Sequence, residues 1–283
     1  MTPREPKGRG GAWSEEGRPR RRTGINTALR AEWTKLRTLP GTGWLLLGVV
    51  VATVIVSATV SASLSCTSTA ACHPDITKLS LTGTYLGQAV VAIVAVLVVS
   101  GEYATGMIAT TLAAMPRRTT VLAAKAGVVT AVTLAAGLPA VLGSVLAGRL
   151  ILPGHGYASA NGYPALSLAS GTVLRAAAGT VLYLALIALL SLGVATAIRD
   201  SAVAIGAVLG LLYLFPILAQ VAGNPGVARQ LQQIGPMTAG LQIQASTGLA
   251  HLPIGPWAGL GVLAAWAAAA LLAGGLVLPV RDA

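Results

Sequence analysis

Long gaps between ionisable side chains constrain this chain more than any other feature. Five of them run from Thr38 to Ser65, Leu79 to Gly101, Ala126 to Gly148, Ala176 to Ile198 and Ser201 to Ala228. A helix rising 1.5 Å per residue needs about 20 apolar residues to cross a hydrocarbon core about 30 Å thick, and each gap supplies them. A sixth apolar stretch, from about Pro256 to Leu278, lies between Arg229 and Arg281. The spacing predicts an all-α membrane protein with six transmembrane helices. Composition agrees: the chain is 54% hydrophobic and 10% charged, where soluble domains carry about 25% charged residues. Ala, Val, Leu and Gly supply the apolarity and Phe occurs once. Small residues of this kind let helix backbones approach closely where lipid offers no hydrophobic contrast.

Basic residues favour the cytoplasmic side of short loops. With the N-terminus inside, 15 of the 19 Lys and Arg residues fall on that side, leaving Lys78, Arg149, Arg175 and Arg229 outside. Both termini are then cytoplasmic, and the external loops span 66–80, 150–174 and 222–255. Much of the net charge of +11 sits in "MTPREPKGRGGAWSEEGRPRRRTG". Residues 1–24 read as a disordered, basic cytoplasmic tail that orients the chain and contacts anionic lipid, not nucleic acid. The first span exceeds the apolar core of a signal peptide, about 7–15 residues. Cys66 and Cys72 share the first external loop, "SLSCTSTAACHPD"; a possible disulfide and two free thiols both fit an oxidising exterior. No metal site is expected, because His73 is the only other good ligand nearby and a structural zinc site wants four. His155 and His251 fall in separate external loops.

Two segments on the cytoplasmic side have helical periodicity. In the first, Ile25, Leu29, Trp33 and Leu36 recur on one face, with Arg30, Glu32, Lys35 and Arg37 opposite. This predicts an amphipathic interfacial helix over 25–37, lying on the inner leaflet before "LPGTG" turns the chain upward. A plain membrane anchor and a protein-contact element both fit it. The second segment follows the end of the second span near Ser100. Met107, Ile108, Thr111, Leu112 and Met115 form an apolar face, and Pro116 cannot continue a helix. A short cytoplasmic helix between spans 2 and 3 is predicted, opened by Glu102 and Tyr103 and closed by Pro116, Arg117 and Arg118. Residues 216–256 are too apolar for free solution yet carry Pro, Gly and Gln throughout. A re-entrant or surface-lying hairpin capping a cavity fits them, since irregular backbone at membrane depth must be buried in protein or face water. Gly83/Gly87, Gly206/Gly210 and Gly255/Gly259 have GxxxG spacing, which suits packing within the monomer or a dimer seam.

No nucleotide-binding loop, metalloprotease motif, nucleophile elbow or dinucleotide fingerprint is present. The spans hold no Asp, Glu, Lys, Arg or His at mid-depth, whereas carriers coupled to protons or ions keep such groups there to move the driving charge. Uphill transport would need energy from a partner at the cytoplasmic surface. Tyr183, Tyr213, Gln220 and Gln88 are the polar side chains placed to line a substrate path or, equally, to pack helices.

"LRAEWTKLRTLPGTGWLLL" followed by "GTYLGQAVVAIVAVLVVSGEYATGMIATTLAAMPRRTTVLAAKAGV" resembles the membrane subunit of ATP-binding-cassette transporters, the type-2 permease family. "LPGHGY", "IGPMTAGLQI" and the terminal "VRDA" are similar as well, so the likeness runs over about residues 26–283. It implies one six-helix permease domain, 25–283, in the plasma membrane, paired with a second permease copy as a homodimer or heterodimer. It further implies a separate cytoplasmic ATPase subunit that holds ATP and Mg, with no cofactor on this chain and no enzymatic activity of its own. Glu102, Tyr103, Thr105, Gly106 and Met107 would open the ATPase-coupling segment, and Pro116, Arg117 and Arg118 would close it. Leu29, Glu32, Trp33, Lys35, Leu36 and Arg37 would belong to the interfacial connecting helix. Glu102 would pair with a basic group on the ATPase or with Arg117 or Arg118 of its own chain. Export of a small molecule, drug, peptide or lipid-like substrate is the expected function. A non-transporting immunity or sensor subunit that binds a peptide or antibiotic is the alternative, and a membrane-embedded enzyme a third class.

Overall fold

The computed structural model of the chain describes residues 40–65, 74–104, 118–158 and 162–281. All regular structure among them is helical, and six of the helices are long and apolar enough to cross a membrane. The chain is a multi-pass membrane protein. The six are α1 (Pro40–Ser63), α3 (Thr84–Ala104), α4 (Arg118–Ile151), α5 (Gly171–Ile198), α6 (Ser201–Val221) and α9 (Pro256–Arg281). Three short helices, α2 (Ile76–Ser80), α7 (Pro225–Ile234) and α8 (Pro236–Gly240), gather at one end of the bundle, called here the capped end.

Local chemistry sets several boundaries. Asp75 caps α2, its side chain accepting from the backbone N–H of Thr77 at 3.1 Å and of Lys78 at 3.2 Å. Proline opens α7, α8 and α9, where its missing N–H would have no partner inside the helix. Asn224 adds a side-chain cap to α7 through Gly226 N–H at 2.8 Å. Opposite the capped end, α5 and α6 meet in a two-residue turn. Arg199 takes a left-handed conformation (φ 66°), and Asp200 caps α6 through Val203 N–H at 2.8 Å.

The α5 helix is the centre of the bundle. It buries 67% of its apolar window, against 22% for each of α1, α6 and α9, and it packs on α9, α3, α4 and α6. Small residues permit these crossings. An added Cβ on Gly83, in the turn just before α3, would lie 1.9 Å from the Thr53 carbonyl oxygen of α1, and Gly83 N–H donates to Ser57 Oγ at 3.0 Å. Gly193 of α5 meets the α9 backbone as closely: its Cβ would fall 2.4 Å from the Ala270 carbonyl carbon. The Gly83/Gly87 pair therefore packs within the monomer. Gly206 and Gly210 have nothing within 4 Å of an added Cβ.

The apolar span of α3 ends at Gly101, near Ser100 as expected, and the helix continues through Ala104. Two sequence expectations need correction. Arg118 opens α4 instead of closing a separate cytoplasmic helix, and Lys125, expected in the preceding loop, is a buried residue of α4, 3% exposed. A helix need not stop at the edge of hydrocarbon: at 34 residues α4 is about 50 Å long, well beyond the about 30 Å core. The segment 216–256 resolves into distinct parts. The α7 helix has no buried residue, whereas Pro236, Met237, Ala239 and Gly240 of α8 and Leu241, Ile243 and Gln244 of the following 3-10 turn are buried. Gly240 lies against the ring of Tyr183, whose Cε2 would be 2.7 Å from an added Cβ. Tyr183 is twelve residues into α5, about 18 Å along its axis. The α8 segment is thus re-entrant, its irregular backbone enclosed by protein as membrane depth requires.

The interfacial-helix residues Leu29, Glu32, Trp33, Lys35, Leu36 and Arg37 lie outside the described residues, as do Cys66, Cys72, Thr105, Gly106, Met107, Pro116 and Arg117. So do the side chains of Glu102, Tyr103 and Arg118.

Candidate ligand cavity and its polar wall

The first turns of α3 carry Thr84, Tyr85 and Gln88, and each meets a different neighbour. Gln88 is fully buried; its Oε1 accepts from the Tyr183 hydroxyl of α5, and its Nε2 donates to Met237 Sδ of α8 at 3.1 Å. The Tyr213 hydroxyl of α6 donates to the Tyr85 carbonyl. Gln244 Nε2 donates to Thr84 Oγ1 at 3.3 Å, and Gln244 Oε1, also buried, has no hydrogen-bond partner among the described residues. Neutral donors and acceptors thus tie α3 to α5, to α6 and to the re-entrant segment, in an environment where lipid offers no alternative partner.

Further ties fasten the cap. Trp266 Nε1 of α9 donates to the Ile234 carbonyl at 2.9 Å, with the Trp266 ring edge-on to Phe215 (6.3 Å, 67°). Gln233 Nε2 donates to the Pro253 carbonyl at 2.7 Å, and Arg175 Nη2 to the Ala245 carbonyl at 2.5 Å. The Asp75 carboxylate accepts from Ser246 N–H, from Ser246 Oγ at 2.6 Å and from Thr247 N–H at 2.9 Å, joining segments 171 residues apart in sequence. Burial alone would raise the Asp75 carboxyl, but the hydrogen bonds from Ser246, Thr247 and Lys78 outweigh it and hold the group below the ordinary carboxylate range.

Between this cap and the ends of α3 and α6 lies a cavity of about 350 Å³, within the size range of small-molecule sites. Tyr85, Met237 and Gln220 line it together with Lys78, Gln232 and Gln242; Pro216, Ala219, Leu241 and Leu252 supply apolar wall. Of the four path candidates read from the sequence, one lines this cavity. Gln220 faces the cavity directly, Gln88 and Tyr183 stand behind Met237, and Tyr213 holds the Tyr85 backbone. Sequence reasoning missed Lys78, Gln232, Gln242 and the Asp75 clamp. The only available signal was the unusual density of Gln between residues 230 and 244 of an apolar chain.

A second cavity of about 340 Å³ is lined by Ile76, Arg149, Leu152, Tyr157 and Leu166. Among the described residues, no three His, Cys, Asp or Glu side chains stand together as a metal site would require. Compared with models of known protein families the chain matches none, and it matches no curated protein.

Proposed function

We propose that this chain is the membrane-spanning permease subunit of an ATP-binding-cassette exporter in the plasma membrane, with both termini cytoplasmic. It pairs with a second permease copy and takes its energy from a separate ATPase subunit that binds ATP and Mg. The observation that carries this reading is the neutrality of the span interior. The hydrogen bonds of Tyr183, Gln88, Met237, Tyr213, Gln244 and Thr84 are between neutral groups, and the Asp, Glu, Lys and Arg residues of the six helices stand within two turns or so of a helix end. Among the described residues, none of these four types supplies the mid-depth charge that an ion-coupled carrier moves. Transport by such a bundle needs a partner that delivers work mechanically.

Two further features favour the end opposite the cap as the place of delivery. The C-terminal end of α3, the start of α4 and the Arg199–Asp200 turn lie there, and the basic-residue bias favours that end as cytoplasmic. The resemblance of "GEYATGMI" through "MPRR" to the coupling segment of type-2 permeases assigns Glu102 and the two arginines to the docking surface.

The direct test is affinity purification of the tagged, full-length chain from its native membranes in mild detergent. Recovery of a nucleotide-hydrolysing subunit that binds stoichiometrically is the expected result; recovery of the chain without one, at preserved fold and yield, overturns the proposal. Charge reversal then locates the contact. Glu102→Lys should abolish ATPase recovery while leaving thermal stability near that of the parent. An exposed ion pair is worth about 0–1 kcal/mol, whereas reversing one partner of a desolvated interface pair costs several. If Glu102 pairs with its own arginines, Glu102→Lys combined with Arg117→Glu and Arg118→Glu restores recovery; if each faces the ATPase, it does not.

A further inference from the structure

The cavity at the capped end has a chemical bias that its size alone does not convey. Lys78 is the one charged side chain in its wall, and among the described residues it makes no ion pair. The acid nearest in sequence is Asp75, three residues earlier, and its oxygens are engaged by Ser246, Thr247 and the α2 backbone. Of the eight acidic residues in the chain, Asp75 is the only one between Glu32 and Glu102, and no acid lines the cavity. A half-buried ammonium without a countercharge is complementary to an anion. Around it, the amides of Gln220, Gln232 and Gln242 offer neutral hydrogen bonds, while Met237, Leu241 and Leu252 form an apolar surface.

We infer that this cavity binds a small amphipathic anion, its carboxylate or phosphate head on Lys78 and its apolar body on Met237, Leu241 and Leu252. The amides of Gln220 and Gln232 complete the head-group shell. That this anion is the exported molecule rests on the permease reading; that the cavity binds it does not, since binding needs neither ATPase nor a gradient. The same head-group chemistry is found on a free amphiphile and on an anionic lipid, and the experiment separates the two.

The probe is radiolabelled N-octanoylglycine, a carboxylate with a short acyl chain, bound to the purified full-length chain in phosphatidylcholine nanodiscs at neutral pH. Binding to empty nanodiscs is subtracted, and octyltrimethylammonium serves as the cationic counterpart. Saturable binding of the anion is expected, with the cation at least about tenfold weaker. Lys78→Gln should weaken the anion by about tenfold or more, the equivalent of one hydrogen bond to a charged group. Lys78→Arg should keep it within about threefold, and the thermal stability of both variants is followed as a control for folding. Gln220→Leu should weaken the anion and leave the cation unchanged. Displacement of the probe by phosphatidylglycerol in the nanodisc would identify a lipid head group as the occupant, and its persistence a free amphiphile. No saturable binding by the parent, equal binding of anion and cation, or unchanged affinity in a folded Lys78→Gln variant would overturn the assignment. An ATPase that co-purifies with a chain failing this assay would leave the permease reading standing and remove the site alone.

Discussion

Replacing Tyr183 by Phe tests whether the buried contact between α3 and α5 holds the bundle together. The hydroxyl donates to Gln88 Oε1, and both residues are 0% exposed, so no water replaces the lost donor. An orphaned buried acceptor costs about 1–3 kcal/mol. Interhelical hydrogen bonds measured in membranes average about 0.6 and reach about 1.7 kcal/mol, because the unfolded chain in lipid also finds partners. Full burial of both groups places the expected cost at about 1–2 kcal/mol. Gln88→Leu should cost about as much, since it leaves the Tyr183 hydroxyl unpaired and removes the contact with Met237 Sδ. The double variant puts two apolar groups face to face and should cost less than the two singles together, by about 1 kcal/mol. Reversible unfolding of the purified chain in mixed micelles, titrated with dodecyl sulfate, gives all four corners of the cycle. Additive effects, within about 0.3 kcal/mol, would refute the reasoning.

Three other perturbations have defined outcomes. Gly83→Leu should destabilise the chain by about 3 kcal/mol, through collision with the Thr53 backbone. Gly206→Leu, on a face with nothing within 4 Å, should be close to neutral; thermal unfolding in detergent that ranked the two the other way would contradict the packing described for α1 and α3. The Asp75 carboxyl is depressed in the folded state, so its contribution is fully present above the unfolded value of about 4 and fades as pH falls through the lower folded value. The parent should therefore exceed Asp75→Asn in thermal stability at neutral pH, with the gap closing below about pH 4; a gap independent of pH would rule out the charged clamp. Deleting residues 1–22 should leave anion binding and ATPase recovery intact, because that segment lacks the apolar content to fold, and loss of either at normal abundance and topology would assign it a function.

The six spans were legible because the bilayer imposes a length threshold that composition either meets or fails. Their ends were harder to read. Charged residues were taken as boundaries, yet Lys125 and Arg149 both lie inside α4, since a helix continues beyond hydrocarbon whenever its backbone bonds are satisfied. The mixture of apolar residues with Pro, Gly and Gln in 216–256 pointed to a re-entrant or surface-lying hairpin, and the structure shows some of each: α7 has no buried residue and α8 is enclosed. Which part dips inward was not legible, because that depends on Gly240 fitting the Tyr183 ring and Gly179 fitting Ile243. Tyr183, Gln88, Tyr213 and Gln220 stood out as polar groups in apolar spans. Lys78 and Asp75 did not: each resembles an ordinary loop residue until the chain brings 246–247 onto Asp75 and 232–253 around Lys78.

The same helix reaches both ends of the proposed machine. In α3, Tyr85 lines the cavity and Gln88 anchors the wall behind it, while Glu102, two residues before the other end, opens the segment proposed for ATPase docking. From Thr84 to Ala104 the helix has no internal proline and spans about 30 Å, so it moves as a rod. Its cavity end is fixed to α5 through Tyr183, to α6 through Tyr213 and to the re-entrant segment through Met237 and Gln244. A tilt of α3 driven from the Glu102 end must therefore displace the wall of the cavity or break those contacts. Neutral hydrogen bonds worth about 1 kcal/mol each suit that role. They are strong enough to hold one arrangement, and a few together are weak enough for the hydrolysis of ATP to exchange it for another. A buried ion pair in their place would cost several kcal/mol to separate and would fasten the cavity in a single state. On the permease proposal, neutrality of these contacts serves mechanical coupling as well as life in lipid.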